Sequence, residues 1–312
     1  ASVRAALRLV EDGQVAAGIV YKSDAAVSER VTVVDALPEI GAEQIDLQTE
    51  LLAHTVAAPI FISCMTGGSD RGFFANRELA EAARAKRYAV GMGSIRILFD
   101  HPELFEHFHL KALAPDVPVL ANIGGVQVRD EEHGRLFELV KRLEVDSLVV
   151  HLNPGQELFQ PEGDRDFRGI RDSIARLCEG SPVPIIVKET GFGIRPGLAS
   201  ELLARGVRYV DVAGAGGTNW VTVEAYRLPE QERDEPAEFA DWGIPTAQAL
   251  LAAQGYRPSF SLSRAQAAAY LQARRNHHIH LVHAQSGVMV ELHWQLGGAC
   301  FAGPAADEPW WA

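Results

Sequence analysis

Cysteine is scarce in this 312-residue chain, with three residues, Cys64, Cys178 and Cys300, widely separated. They form no CxxC pair, which leaves neither a zinc knuckle nor a thioredoxin-like couple, and a reducing compartment is the expectation. Positive charge is short as well: 29 Lys and Arg stand against 41 Asp and Glu, for a formal net charge of −12. Such a balance opposes non-specific attachment to nucleic acid or anionic membrane, so neither is an expected partner. An anionic small molecule would need local Lys, Arg or metal charge. No apolar run approaches a membrane span, and no charged-apolar-small leader opens the sequence. The expectation is a soluble cytoplasmic α/β protein. Its 47% hydrophobic content suffices for one barrel or two modest domains.

What is present is periodic. Six strand-like runs begin near Pro59, Tyr88, Val117, Ser147, Val183 and Arg208, so successive starts lie 29, 29, 30, 36 and 25 residues apart. Each step fits one strand, one helix and two short loops. The runs Pro59–Ser63, Pro118–Leu120, Leu148–Val150 and Ile185–Val187 are continuously apolar, as parallel strands covered on both faces are. Between them, Leu136, Leu139, Val140 and Leu143 make a helical stripe. Phe167, Ile170, Ile174 and Leu177 make another, and Leu198, Leu202 and Leu203 a third before Gly206. The expected fold is a TIM-type (β/α)8 barrel with six βα units evident. In such a barrel every strand delivers its C-terminal end to one face, where sites are built.

The flanks break the pattern and divide the chain into residues 1–37, 38–254 and 255–312. Residues 2–12 read as an amphipathic helix, followed by strands Gly18–Tyr21 and Val31–Val34. After Gly255 the last two barrel units are replaced by a helix over about Ser263–Arg275 and alternation across His278–Trp294, a β-hairpin signature. Five of the eleven histidines fall there: His277, His278, His280, His283 and His293. His278 and His280 on one strand face offer two metal ligands, but no Cys or carboxylate spacing completes a set.

The strand ends carry the chemistry. Met65-Thr66-Gly67 gives backbone amides that can approach a planar ring closely, or a plain left-handed turn. Ser94 and Asn122 suit the polar edge of such a ring, and singly would also serve as loop caps. Lys188 ends an apolar strand, where its ammonium is costly without an anionic or electron-rich partner. Glu157, on the loop after the fourth strand beside Gln156, can ligate Mg²⁺ through oxygen or, as a lone glutamate, stand as a solvated loop charge. Arg96 has the fork geometry for phosphate oxygens, while His151 suits either an anion or a satisfied core position.

Taken together these motifs resemble the type 2 isopentenyl diphosphate isomerases, flavin-dependent (β/α)8 barrels, over roughly Ala36–Ala253. The resemblance rests on Met65-Thr66-Gly67-Gly68, Gly91-Met92-Gly93-Ser94-Ile95-Arg96, Ala121-Asn122-Ile123-Gly124, His151-Leu152-Asn153-Pro154-Gly155-Gln156-Glu157, Val187-Lys188-Glu189, Gly214-Ala215-Gly216-Gly217-Thr218 and Trp242-Gly243-Ile244-Pro245-Thr246, in that order. It implies FMN contacts from Met65, Thr66, Gly67, Ser94, Asn122, Lys188 and Thr218. It implies substrate contacts from Ser94, Arg96, His151, Asn153 and Gln156, with Glu157 as the Mg²⁺ ligand and Gln156 and Glu157 as the catalytic pair. The implied reaction interconverts isopentenyl and dimethylallyl diphosphate, with NAD(P)H keeping the flavin reduced. The family also implies a small-molecule diphosphate partner and a homo-oligomer.

The family's opening Arg-Lys-Asp-Asp-His-like segment and its Ser-Gly-Gly-Ile-Arg-like phosphate loop have no counterpart. The N-terminal piece, with Gly18-Ile19-Val20-Tyr21, resembles the end of a periplasmic molybdate-binding protein. Tyr21 matches an oxyanion-contacting tyrosine there, but a fragment cannot form the two-lobed clamp, so a structural role is expected for it. The C-terminal piece, with Gly255-Tyr256-Arg257-Pro258, resembles part of a nucleotidyltransferase-like family without its catalytic motifs. Two alternatives stay open. One is another flavin barrel of the α-hydroxy-acid oxidase kind, against which Gln156-Glu157 speaks; the other is a catalytically inactive fusion or small-anion-binding module.

Overall fold

A computed structural model describes residues 44–239, 242–253, 256–258, 278–283 and 289–293. The expected helix over residues 2–12, strands Gly18–Tyr21 and Val31–Val34, and the helix near Ser263–Arg275 lie outside the described residues. The chain divides into two compact units, Ile40–Ala249 and a second made of Ala1–Glu39 with Leu250–Ala312.

The first unit opens with a hairpin, β1 (Thr49–Leu51) against β2 (His54–Val56). Leu52 and Ala53 turn it with φ of 50° and 61°, a backbone that lacks the glycine usually found there. Six parallel strands follow: β3 (Phe61–Ile62), β4 (Ala89–Ser94), β5 (Val119–Gly124), β6 (Ser147–Leu152), β7 (Ile185–Glu189) and β8 (Tyr209–Asp211). They pair in sequence order, so each crossover moves the chain one place along the sheet. The connections carry α1 (Asp70–Lys86), α2 (Gly125–Asp130), α3 (His133–Arg142), α4 (Pro154–Phe159), α5 (Ile170–Gly180) and α6 (Pro196–Ala204). After β8 come α7 (Trp220–Arg227), α8 (Asp234–Ala237) and α9 (Thr246–Ala253).

Three differences from expectation have physical reasons. The β4–β5 connection is built from 3₁₀ turns at Ile95–Phe99, Pro102–His107 and Leu110–Ala112 rather than an α-helix. Pro102 interrupts it after the first turn and Pro115 follows the last, and short turns bury Ile95, Leu98, Phe108 and Leu110 without needing a regular stripe. In the run Pro59–Ser63, Ile60 and Phe61 are exposed, since β3, which takes Phe61 and Ile62, has a neighbour on one side only among the described residues. Leu203 is also exposed, while Leu202 carries the core contact of α6.

Alternation along the strands produces two apolar layers. On one face Val90, Met92, Ala121, Ile123, Leu148, Val150, Ile185 and Val187 pack with helix residues Leu136, Leu139, Val140, Ile170, Ile174, Leu177 and Leu202. On the other, Cys64, Ala89, Leu120, Val149 and Ile186 form a smaller cluster with Leu51, Leu52 and Tyr209. Both faces of β4 to β7 are therefore covered, which is why these runs show no polar alternation in sequence. The β1–β2 hairpin is tied to the sheet by Asp146, which accepts from His54 Nε2 (2.9 Å), Lys111 Nζ (2.7 Å) and Val119 N (2.8 Å).

The second unit contains an antiparallel sheet in the order β11-β10-β9, from β9 (Tyr256–Pro258), β10 (His278–His283) and β11 (Met289–His293). The expected hairpin is present, with Ile279 opposite Leu292 and Leu281 opposite Val290. Pro258 lies within β9, opposite Leu281.

Candidate active site

Moving two residues toward the C-terminal end on the inner face replaces apolar side chains with polar ones. Leu120 gives way to Asn122, Val149 to His151, Ile186 to Lys188 and Tyr209 to Asp211. The register sets His151 beside Lys188 and Lys188 beside Asp211. Strand twist and shear thus collect one polar residue per strand around a cavity of about 430 Å³. Its lining also includes Met65, Ser94, Asn153, Gln156, Thr190, Thr218 and Trp220.

Lys188 is 7% exposed, and its ammonium donates to the Glu189 backbone carbonyl at 3.1 Å. Burial lowers its pKa, opposed by the carboxylates of Asp211 and Glu189. Cys64, in the same wall, has its thiol pushed up to about 12 by burial, so it stays protonated and unreactive at neutral pH. His151 is held neutral: burial and the nearby charges of Lys188 and Arg96 push it down to about 3. Its Nδ1 lies 3.2 Å from Asn122 Oδ1. A neutral ring that donates there keeps Nε2 as an acceptor, so it offers an anion a donor only after gaining a second proton.

Helix α4 presents Gln156 and Glu157, with Pro154 at its first turn. Glu157 accepts from Asn153 Nδ2 (2.9 Å) through one oxygen and from the Asp164 backbone N–H (2.9 Å) through the other. Glu224 on α7, 3% exposed, accepts from Gln156 Nε2 (2.9 Å), Gln160 Nε2 (2.9 Å) and Arg227 (2.8 Å). Burial works to raise the Glu224 pKa, but these donors outweigh it and hold the carboxyl below its usual range. The fixed acceptor orients the Gln156 amide.

Not every expected residue lines the cavity. Thr66 donates to Asn76 Oδ1 at 2.5 Å, and its carbonyl accepts from Gly93 N at 2.5 Å. Gly67 is required by packing: a Cβ there would fall 2.5 Å from Phe108 Cε1. Arg96 is exposed and makes no ion pair among the described residues, while remaining close enough to act on His151. Glu157 stands behind Gln156 and Asn153 rather than in the wall. Among the described residues no group of three or more His, Cys, Asp or Glu could hold a metal.

Glu189, Thr190, Asp211 and Glu224 were missed. The Glu189 carboxylate is buried and accepts from the backbone N–H groups of Gly191 (2.7 Å), Phe192 and Gly193 (3.0 Å). Burial raises its pKa against those hydrogen bonds. Its place after Lys188 at a strand end, before a Gly-Phe-Gly turn, was the available signal. Glu224 had none, since it lies 68 residues from Gln156.

A polar cleft at the C-terminal edge of a parallel sheet, with a nearly buried ammonium in its wall, defines an α/β small-molecule site. No family profile matches the chain. It is 42% identical over 296 residues to an isopentenyl-diphosphate delta-isomerase of Stutzerimonas stutzeri (strain A1501), covering 87% of this chain and 84% of that protein. The protein of the same name from Borrelia garinii subsp. bavariensis is 46% identical over 217 residues, covering 70% of this chain and 61% of its own length. That from Pseudescherichia vulneris is 47% identical over 221 residues, covering 69% and 63%. The chain belongs to the isopentenyl-diphosphate delta-isomerase family. It spans about three fifths of the length of the Borrelia relative. A Pediococcus acidilactici lactate oxidase structure matches with a TM-score of 0.37 and 14% identity over 53% of this chain and 49% of its own, too partial a likeness to carry an argument. No helix among the described residues is long and apolar enough to cross a membrane.

Proposed function

We propose that the chain is a type 2 isopentenyl-diphosphate isomerase that interconverts isopentenyl and dimethylallyl diphosphate with FMN and Mg²⁺. The observation that carries this reading is the convergence of Ser94, Asn122, His151, Gln156 and Lys188 on one cavity, with Glu157 held directly behind it. The same reading takes the six-stranded sheet as part of a (β/α)8 barrel and the chain as a homo-oligomer.

The residues fit a flavin. The Lys188 ammonium donates to a backbone carbonyl and not to a carboxylate among the described residues, and the Thr190 hydroxyl is shielded without a partner. A planar, electron-rich group with polar edges answers both. When bound and kept reduced by NAD(P)H, FMN would supply the acid–base chemistry of the alkene without net redox change. Lys188, Asn122, Ser94, Thr218 and Met65, which line the same cavity, would hold it.

The protein's own part is binding and exclusion. Arg96, Asn153 and His151 would take the diphosphate, whose charge would offset the repulsion from Lys188 and Arg96 that adds to burial in keeping His151 neutral. Glu157 would complete a Mg²⁺ sphere on the diphosphate oxygens, the usual arrangement for an ion that keeps few protein ligands. Gln156, its amide fixed by Glu224, would lie against the reacting carbons and keep water out. One proton is gained at one carbon and another lost two carbons away, so the site must hold the chain in a single pose.

The test is a visible spectrum after FMN loading and removal of excess, followed by isomerase assay under reducing conditions. A retained flavin band and turnover that fails in Glu157→Ala and Gln156→Ala are expected. A folded protein that retains no flavin at any concentration refutes the reading.

A further inference from the structure

The turn after β7 is built to hold one hydroxyl. Thr190 Oγ1 is shielded from solvent and has no hydrogen-bond partner, although it borders the cavity beside Lys188. A buried hydroxyl left unpaired is destabilising, so the turn that keeps it there calls for a reason. That turn is over-determined. The Glu189 carboxylate gathers three successive backbone N–H groups, those of Gly191, Phe192 and Gly193. Gly191, at φ 138°, lets the turn press against the Thr218 segment, where a Cβ would meet the Thr218 carbonyl oxygen at 2.7 Å. Lys188 is anchored on the same turn through the Glu189 carbonyl. Lys188, Thr190 and Thr218 are thereby fixed as one wall.

We propose that Thr190 is a further cofactor-holding residue, whose hydroxyl pairs with the polar edge of the flavin, and that Glu189 positions it through the turn. The inference rests on the flavin reading above and deepens it. The ligand chemistry required is a planar heteroaromatic edge carrying hydrogen-bonding oxygen or nitrogen, within reach of both an ammonium and a hydroxyl. The two effects of removing the hydroxyl have opposite signs. Without ligand, Thr190→Val loses an unsatisfied group and gains an apolar contact of the same shape. With ligand, it loses a hydrogen bond.

The experiment titrates the full-length parent, Thr190→Val and Thr190→Ser with FMN, following flavin fluorescence and the visible band, and melts each protein with and without FMN. Thr190→Val is expected to weaken FMN binding about 3- to 10-fold, the effect of one net hydrogen bond. Its ligand-free midpoint should equal or exceed the parent's, and Thr190→Ser should bind like the parent. Equal FMN affinity of parent and Thr190→Val overturns this inference alone. Equal weakening in Thr190→Ser also overturns it, because shape rather than the hydroxyl would then be responsible. A parent that binds no FMN removes the flavin reading, and this inference with it.

Discussion

Replacing Glu224 by alanine separates the structural reading of the site from its assigned chemistry, because the effect can be read without substrate or cofactor. The carboxylate is 3% exposed and accepts from two amides and a guanidinium. Arg227 is 59% exposed, so its share is small, about 0–1 kcal/mol. The Gln156 and Gln160 bonds are charge-assisted and lie in a part-buried setting. Stranding two such donors costs about 1–3 kcal/mol each, partly offset by removing a buried charge. A net loss of about 2–4 kcal/mol is expected, measured as a lower urea midpoint at unchanged slope. Glu224→Gln, which keeps the shape and one acceptor, should lose about half as much. The pH dependence gives an independent check. The folded carboxyl has a lowered pKa, so its stabilisation is present above the unfolded value of 4.5 and is lost as pH falls through the folded value. The alanine variant should therefore show a shallower loss of stability below pH 4.5 than the parent. A Glu224→Ala protein within about 0.5 kcal/mol of the parent would refute the reasoning, since that is the range of an unconnected surface change.

Three further outcomes follow from other parts of the molecule. Gly67→Ala should destabilise the chain by about 1–3 kcal/mol through overpacking against Phe108, read by denaturant unfolding, and an unchanged midpoint would deny that contact. His151 is depressed from 6.5 to about 3, so the folded state binds fewer protons in that window and stability should rise with pH across it. His151→Gln should flatten that slope, and a slope identical to the parent's would show that the ring is not held neutral. Lys188→Met should abolish flavin retention in a protein that still folds, as judged by circular dichroism. Unaltered retention would remove the ammonium from the cofactor site.

The strand positions were legible because apolar runs closed by glycine and polar residues recur at the length of one βα unit. Starts read near Tyr88, Ser147 and Arg208 meet strands beginning at Ala89, Ser147 and Tyr209. The β4–β5 connection was not legible as 3₁₀ turns, since Ile95, Leu98, Phe108 and Leu110 are buried without a helical period. The β1–β2 hairpin carries Leu52-Ala53 at its turn, where composition signals nothing. Of the site, Asn122, His151, Lys188 and Gln156 stand at strand ends or just after them, where polarity interrupts an apolar run and draws notice. Glu224 sits in an ordinary amphipathic helix and attracts none.

Local order, then, was determined by the sequence: residues two apart on a strand share a face, so a polar residue ending an apolar strand must meet whatever that face encloses. Which polar groups meet was decided only by tertiary structure. Sheet register set Lys188 beside His151 and Asp211, and the packing of α7 near α4 brought Glu224 to Gln156 across 68 residues. Burial then assigned their charges, holding His151 neutral and the Cys64 thiol protonated, because the cost of charge depends on the solvent excluded by the whole fold and not on neighbours in the chain.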